Sequence, residues 1–361
     1  MTRQPSNIDI LNIGNDCNQS CRQCYYVEKN LTELNLNELI LAKKIIQKYS
    51  KSSIFIYPKE IANNQNLFPL IKRVGQKSVL SNGLLLNDKI LRSLKMSGVE
   101  EIKITLFANP KEQKFFNGNN NKQYKLILSN IKKSKRHHFK VTVNNVLSNK
   151  NINSINQLCH LCHKLRVDKI EFLRLKPLGH GQNLTKFLLN ERDIKNIILK
   201  VENNKKLYPD LYLSFNLSFG PNFYGKSLIE AKAKVKKLSS FWTKSNYLCP
   251  AIGKNYWGLS VKTGKIYWCF FAMNEQMSQV GNYDVKKDKI TIDNYPDIQP
   301  KNLLHKLKGN CAIKNCIYAR ICLGGCRSTA YLFAKLKGEK NPLHAGMDIC
   351  LTKCYESLFK K

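Results

Sequence analysis

The sequence predicts an α/β fold: a partial (βα)6 TIM-like barrel followed by a small, irregular, cysteine-rich domain. From residue 8 to about residue 206, short β-branched apolar runs alternate with amphipathic helical stretches, the pattern of parallel strands joined by right-handed helical crossovers. Six such units are present, which suits a partial barrel. After residue 248 the periodicity fades and eight of the thirteen cysteines follow in turn-rich sequence, as in a domain organised around bound clusters.

The six predicted strands are Ile8 to Gly14, Ile54 to Tyr57, Ser78 to Ser81, Glu101 to Phe107, Lys140 to Leu147 and Lys169 to Leu175. Helical patterns lie between and after them, near residues 36–49, 64–74, 87–97, 123–136, 153–165 and 191–206. Chemistry on a sheet of this kind gathers at the C-terminal ends of the strands. Residues 207–248 read as a bridge: a strand-like piece from Leu211 to Phe219, a Gly/Pro turn, then a basic helix. The expected domains are therefore 1–206, a bridging segment 207–248, and 249–361.

At 361 residues the chain is long enough to bury a sizeable core without a metal or disulfide staple. No run of roughly 18 apolar residues is present to span a bilayer, and the N-terminus MTRQPSNIDILNIG lacks the apolar core of a signal peptide. A soluble cytoplasmic protein with no membrane partner is expected. Thirteen cysteines in a long, unexported chain point to metal ligation in a reducing compartment rather than to disulfides. The formal charge of +35 would suit an anionic partner. It comes, however, with heavy Asn and Ile usage along the whole chain, like a drift in codon composition. Runs such as Lys132, Lys133, Lys135 and Arg136, or Lys232, Lys234, Lys236 and Lys237, look like solvated helix faces. Nucleic acid is not the expected partner.

Cys17-x3-Cys21-x2-Cys24 follows the first predicted strand directly, so one loop at that strand's end carries three thiols, with aromatic Tyr25 next. Three thiolates can hold three irons of a [4Fe–4S] cubane and leave the fourth open. Zinc normally takes a fourth ligand at a matching spacing, and no nearby His or Cys supplies one.

In this motif the chain resembles the radical S-adenosylmethionine (SAM) superfamily. The likeness extends through SNGLLLNDKILRSLKMSGVEEIKITLF, KVTVNNVL and DKIEFLRLKPLGHG, which are similar to that superfamily's later strands and helices. The resemblance implies that Cys17, Cys21 and Cys24 bind a [4Fe–4S] cluster, and that the open iron takes the amino and carboxylate groups of SAM. One-electron reduction then releases a 5′-deoxyadenosyl radical that abstracts hydrogen from substrate. It also implies SAM contacts from strand ends at Ser81, Asn82, Thr105, Asn144 and Arg174, together with Tyr25 and Glu60. The chain departs from the family after strand two. The usual Gly-Gly-Glu-Pro is here Tyr57-Pro58-Lys59-Glu60-Ile61, which keeps the acid and loses two glycines.

Cys249-x14-Gly264-x4-Cys269, then Cys311-x4-Cys316-x5-Cys322-x3-Cys326, then Cys350, is similar to the SPASM domain, a C-terminal extension holding auxiliary [4Fe–4S] clusters. The x4 between Cys311 and Cys316 is x2 in that family. The resemblance implies two auxiliary clusters: one on Cys249, Cys269 and Cys326, the other on Cys311, Cys316, Cys322 and Cys350. The fourth site of the first is open to Cys354, an oxygen ligand or substrate. Structural zinc is the competing use of these thiols, but zinc ribbons usually repeat CxxC pairs, and none occurs here. Cys159-His160-Leu161-Cys162-His163 fits a haem-attachment pattern, yet falls inside a predicted outer helix, where Cys159 and Cys162 are expected to be buried as small hydrophobes.

The expected function is that of a radical SAM/SPASM enzyme that modifies a peptide or protein substrate, with an acidic leader or precursor suited to the positive charge. A flavodoxin or ferredoxin would be its electron donor. Because the barrel begins at residue 8, a separate protein would bind any leader peptide. Anaerobic sulfatase-maturating enzymes place an acidic base after the cysteine matching Cys269; Phe270 and Phe271 stand there, and phenylalanine cannot act as a base. The alternatives are a SPASM enzyme acting on a small molecule such as a tetrapyrrole, an RNA-modifying enzyme, and an electron-transfer protein that holds clusters without radical chemistry.

Overall fold

The computed structural model describes residues 5–14, 16–26, 35–223, 226–242, 248–249, 251–252, 256–273, 275, 278–293 and 295–359. Residues 1–4 of the N-terminal segment, and 224–225 and 243–247 of the bridge, lie outside them. The chain divides into two compact units, one of Met1–Ile13, Asn35–Tyr57 and Leu217–Lys361, the other of Gly14–Leu34 and Pro58–Asn216.

All six predicted strands form. β1 (Asn7–Leu11) and β2 (Ser53–Ile56) belong to the first unit, while β3 (Ser78–Ser81), β4 (Glu101–Thr105), β5 (Lys140–Leu147) and β6 (Lys169–Arg174) belong to the second. β7 (Tyr212–Phe215), from the bridging segment, completes the second unit's sheet. That sheet is parallel throughout, in the order β3-β4-β5-β6-β7. Ile102, Ile104, Val141, Val143, Ile170 and Phe172 are fully buried on its strands, and each contributes about 1.5–3 kcal/mol of burial free energy.

The helices are α1 (Leu36–Lys48), α2 (Phe68–Val74), α3 (Asp88–Met96), α4 (Pro110–Asn117), α5 (Asn121–Arg136), α6 (Ile155–Lys164) and α7 (Glu191–Leu207). The asparagine-rich composition supplies their starts. Asn35, Asn87, Asn109, Asn120 and Asn190 each accept from a backbone N–H of the first turn, and the caps of α5 and α7 are reciprocal boxes with Gln123 and Asp193. Among these helices, α4 is the one the sequence pattern does not predict. Its signals are local, Pro110 in the first turn and Gly118 at the C-cap in the left-handed region.

The cysteine-rich part carries more regular structure than its weak periodicity suggests. β8 (Tyr256–Ser260), β9 (Lys265–Tyr267), β10 (Gln279–Asp284) and β11 (Lys289–Ile292) join β1 and β2 in the first unit's sheet, ordered β11-β10-β9-β8-β1-β2. β8 lies parallel to β1, and β9 to β11 run back and forth antiparallel. Every residue of β8 is buried, so no polar alternation marks it in the sequence. The helices of this part are α8 (Leu228–Trp242), α9 (Pro300–Lys306), α10 (Ala319–Cys322), α11 (Arg327–Leu336) and α12 (Leu351–Phe359). Among the described residues, no helix is long and apolar enough to cross a membrane.

Candidate functional site

Three cysteines of the second unit lie in one loop before α1. Cys17, Cys21 and Cys24 are partly buried, and their charges bear on one another. The Cys24 backbone N–H donates to Cys21 O at 3.2 Å, closing a turn that keeps the two thiols on the same loop. Burial pushes the Cys17 thiol up to about 11 and raises Cys21 and Cys24, while the ammonium of Lys59 pulls all three the other way. Buried thiols beside a fixed cation become good ligands once a metal centre replaces their protons. Among the described residues no three His, Cys, Asp or Glu side chains converge closely enough to hold a single metal ion. The thiolates of a cubane stand on separate irons and need no such convergence.

The loop is clamped on two sides. From the α4 side, Arg22 N–H donates to Phe116 O at 2.8 Å, Gln23 Nε2 to Asn117 Oδ1 at 2.9 Å and Gln19 Nε2 to Asn119 Oδ1 at 2.7 Å. The Arg22 guanidinium sits 4.5 Å from the centre of the Phe115 ring. From the segment after β6, His180 N–H donates to Cys24 O at 2.8 Å. Gly179 passes so close that a Cβ there would stand 2.5 Å from both Cys24 O and Tyr25 O, and its φ is +59°. The sequence pattern does not single out these clamping residues; the Gly-His-Gly after β6 is the one local signal.

Glu60 is 1% exposed. Its carboxylate accepts from Ser81 Oγ at 2.8 Å, from Asn82 N–H at 2.6 Å and from Ala62 N–H at 3.1 Å. Asn82 Nδ2 donates to Asn18 Oδ1 at 2.7 Å and lies 3.9 Å from Cys17 Sγ. Four residues named from the sequence, Cys17, Glu60, Ser81 and Asn82, thus form one connected group. Tyr25 packs its ring on Tyr26 at 4.9 Å. Thr105 and Asn144 are register partners on β4 and β5. Asn144 is 9% exposed, and its Oδ1 is buried without a hydrogen-bond partner among the described residues. Such an orphaned acceptor fits a site that a ligand completes. Arg174 ends β6, 2% exposed, with Nη2 3.5 Å from Leu189 O.

In the first unit the remaining cysteines sort into sets. The charges of Cys311, Cys316 and Cys350 bear on Cys322, and those of Cys311 and Cys316 on Cys350. A cavity of about 210 Å3 is lined by these four residues together with Tyr318, Met347 and others. Burial raises Cys311 and Cys322 and pushes Cys350 up to about 11. Cys249, likewise pushed up to about 11 by burial, faces Cys326, and Cys249 and Cys269 both bear on half-buried Tyr295. Cys354 is 4% exposed in α12, and its N–H donates to Cys350 O at 3.0 Å. Four thiols around a cavity, and a second group beside them, suit clustered iron. Cys159 and Cys162 are 0% exposed in α6, as expected of small hydrophobes.

No family model matches the chain. Two curated relatives, each named probable GTP 3′,8-cyclase, match in sequence. The one from Sulfurisphaera tokodaii is 25% identical over 213 residues, which cover 56% of this chain and 67% of the relative. The one from Saccharolobus islandicus is 24% identical over 199 residues, covering 53% and 64%. The match thus spans about two thirds of the relatives' length. Among solved structures, Streptococcus suis SuiB bound to precursor peptide SuiA matches with a TM-score of 0.66 at 16% identity, over 96% of this chain and 76% of SuiB. Native anSMEcpe with bound AdoMet matches with a TM-score of 0.68 at 13% identity, over 98% and 96%. At these identities the structures establish a shared fold. Sequence relatives and fold neighbours together support the radical SAM superfamily as the family of this chain, and an enzyme as its role.

Proposed function

We propose that the chain is a radical SAM/SPASM enzyme acting on a peptide or protein. In this reading Cys17, Cys21 and Cys24 hold the SAM-binding [4Fe–4S] cluster. Tyr25, Glu60, Ser81, Asn82, Thr105, Asn144 and Arg174 form the surroundings of SAM. Cys311, Cys316, Cys322 and Cys350 hold one auxiliary cluster, and Cys249, Cys269 and Cys326 another, its last corner left to Cys354, an oxygen ligand or substrate. The domain limits 1–206, 207–248 and 249–361, a cytoplasmic setting and a small electron-donor protein belong to the same proposal. With SAM, the first cluster supplies reductive cleavage to a carbon radical that takes hydrogen from substrate.

The observation that carries this reading is the grouping of sequence-distant cysteines: four thiols spread from Cys311 to Cys350 bear on one another around one cavity, as the SPASM spacing implies. The chain's own residues supply the rest. The α4 side and Gly179 hold the cluster loop fixed, and the Glu60–Ser81–Asn82 network presents a buried, polar edge beside Cys17. The peptide reading draws on the likeness to SuiB bound to its precursor peptide. Anaerobic incubation with SAM and a strong reductant is expected to yield 5′-deoxyadenosine. Its absence from protein with intact clusters would instead leave an electron carrier.

A second reading, a small-molecule substrate of the nucleotide class, is favoured by the sequence relatives named as probable GTP 3′,8-cyclases. Conversion of GTP by the reconstituted enzyme would select it over the peptide reading.

A further inference from the structure

Arg327 opens α11 and is 0% exposed. Its guanidinium donates only to carbonyls: Nη1 to Leu323 O and Gly324 O, each at 3.3 Å, and Nη2 to Leu343 O at 2.8 Å and Ala345 O at 2.6 Å. Nε is buried without a hydrogen-bond partner among the described residues. The fit is tight, since a Cβ on Gly324 would stand 2.6 Å from Nη1. Carbonyl oxygens satisfy N–H groups but leave the positive charge without a counter-ion. Withdrawing a guanidinium from water is unfavourable unless an opposite charge offsets it.

Cys249, Cys311, Cys326 and Cys322 lie close enough to Arg327 for their thiolates, once formed, to offset its charge, and its Nη1 donates to the carbonyl of Leu323, the residue that follows Cys322. Cys249 and Cys326 belong to one proposed auxiliary set, and Cys311 and Cys322 to the other. Neutral thiols would leave the cation uncompensated, whereas thiolate-bound clusters on both sides supply negative charge. The same helix start aims further donors at the first set only. The Arg327 backbone N–H donates to the Cys249 thiol, and Thr329 Oγ1 donates to Cys326 Sγ at 3.3 Å, with Ser328 Oγ 3.4 Å away. Ser328 and Thr329 are 0% exposed.

We propose that Arg327 is the shared counter-charge of the two auxiliary clusters, a positioning residue that raises both reduction potentials, while the Thr329 hydroxyl raises that of the Cys326 cluster alone. Reduction adds an electron to an already anionic site, so a fixed cation and hydrogen bonds to sulfur favour the reduced state. The inference rests on the auxiliary-cluster reading above.

The test is a redox titration of the anaerobically purified full chain, followed by electron paramagnetic resonance, with iron and sulfide counted per chain. Arg327→Gln is expected to shift both auxiliary couples toward the oxidised form by at least roughly tenfold at fixed poise, about 59 mV for a one-electron couple. Arg327→Lys keeps the charge and loses the planar fork, so it is expected to hold both potentials near wild type with lower iron content. Thr329→Val is expected to lower one auxiliary potential and leave the other. Full iron in Arg327→Gln with both potentials unmoved would overturn the inference. If Arg327→Gln fails to load, a loaded Thr329→Val that moves neither couple, or both equally, would overturn it instead. Wild-type protein with only about four irons per chain would be a different failure, sinking the auxiliary-cluster reading and this inference with it.

Discussion

Asp9, on β1, accepts from the Tyr256 hydroxyl on β8 at 2.5 Å, yet desolvation outweighs that bond and pushes the carboxyl up to about 7. An unfolded aspartate titrates near about 3.9, so the folded protein keeps a proton that the unfolded chain gives up. This group's contribution to stability is therefore full below about pH 3.9 and falls as the pH rises, until it is lost near 7. The urea midpoint of wild type should decline across that window by an amount equivalent to about 1 kcal/mol per pH unit. Asp9→Asn should flatten the decline, and an unchanged pH profile would contradict it. Glu60 has the same cause of shift, with burial raising it against three hydrogen bonds. Single residues of this kind were only partly legible in the sequence. Glu60 was found because it keeps a family acid in place; Asp9 and Arg327 were not, because nothing in residue type or spacing says that a charged group will be buried.

Strands β1 to β6 and all the outer helices of the first 207 residues except α4 could be read from the sequence, because alternation of β-branched runs with amphipathic stretches is a strong periodic signal. β8 was hidden by burial at every position, and α4 by its shortness, eight residues marked by a cap and a proline rather than by a stripe. The cysteine spacing is legible in the sequence, but the clamps on the cysteine loop mix backbone contacts from Phe116, Gly179 and His180 with side-chain pairs from Asn117 and Asn119, and no periodic pattern announces them. Gly179 is the clearest of these. Gly179→Ala combines a φ of +59° with a Cβ 2.5 Å from two carbonyls of the loop, and should cost about 1–3 kcal/mol of strain and reduce iron at the SAM-binding site. Gly75→Ala is the control. It has a similar φ of +66° with nothing within 4 Å, so it should destabilise without loss of iron. Equal iron content in the two variants would contradict the clamp.

At the scale of the molecule, the formal charge is +35, and the basic runs of α5 and α8 are partly solvated and partly paired. Lys132 and Lys236 are exposed, and Lys135 pairs with Asp168 at 2.5 Å. Of the thirteen cysteines, Cys159 and Cys162 are buried in α6, and the proposed function places ten of the others in three ligand sets, with Cys354 a candidate for the open corner. The most direct test of a three-thiolate centre is metal analysis of anoxically purified protein, wild type beside Cys17→Ala/Cys21→Ala/Cys24→Ala. About twelve irons per chain, with matching sulfide, should fall to about eight in the triple variant, together with all SAM cleavage. Zinc in place of iron, or an iron count that the triple substitution leaves unchanged, would contradict a cluster at Cys17, Cys21 and Cys24.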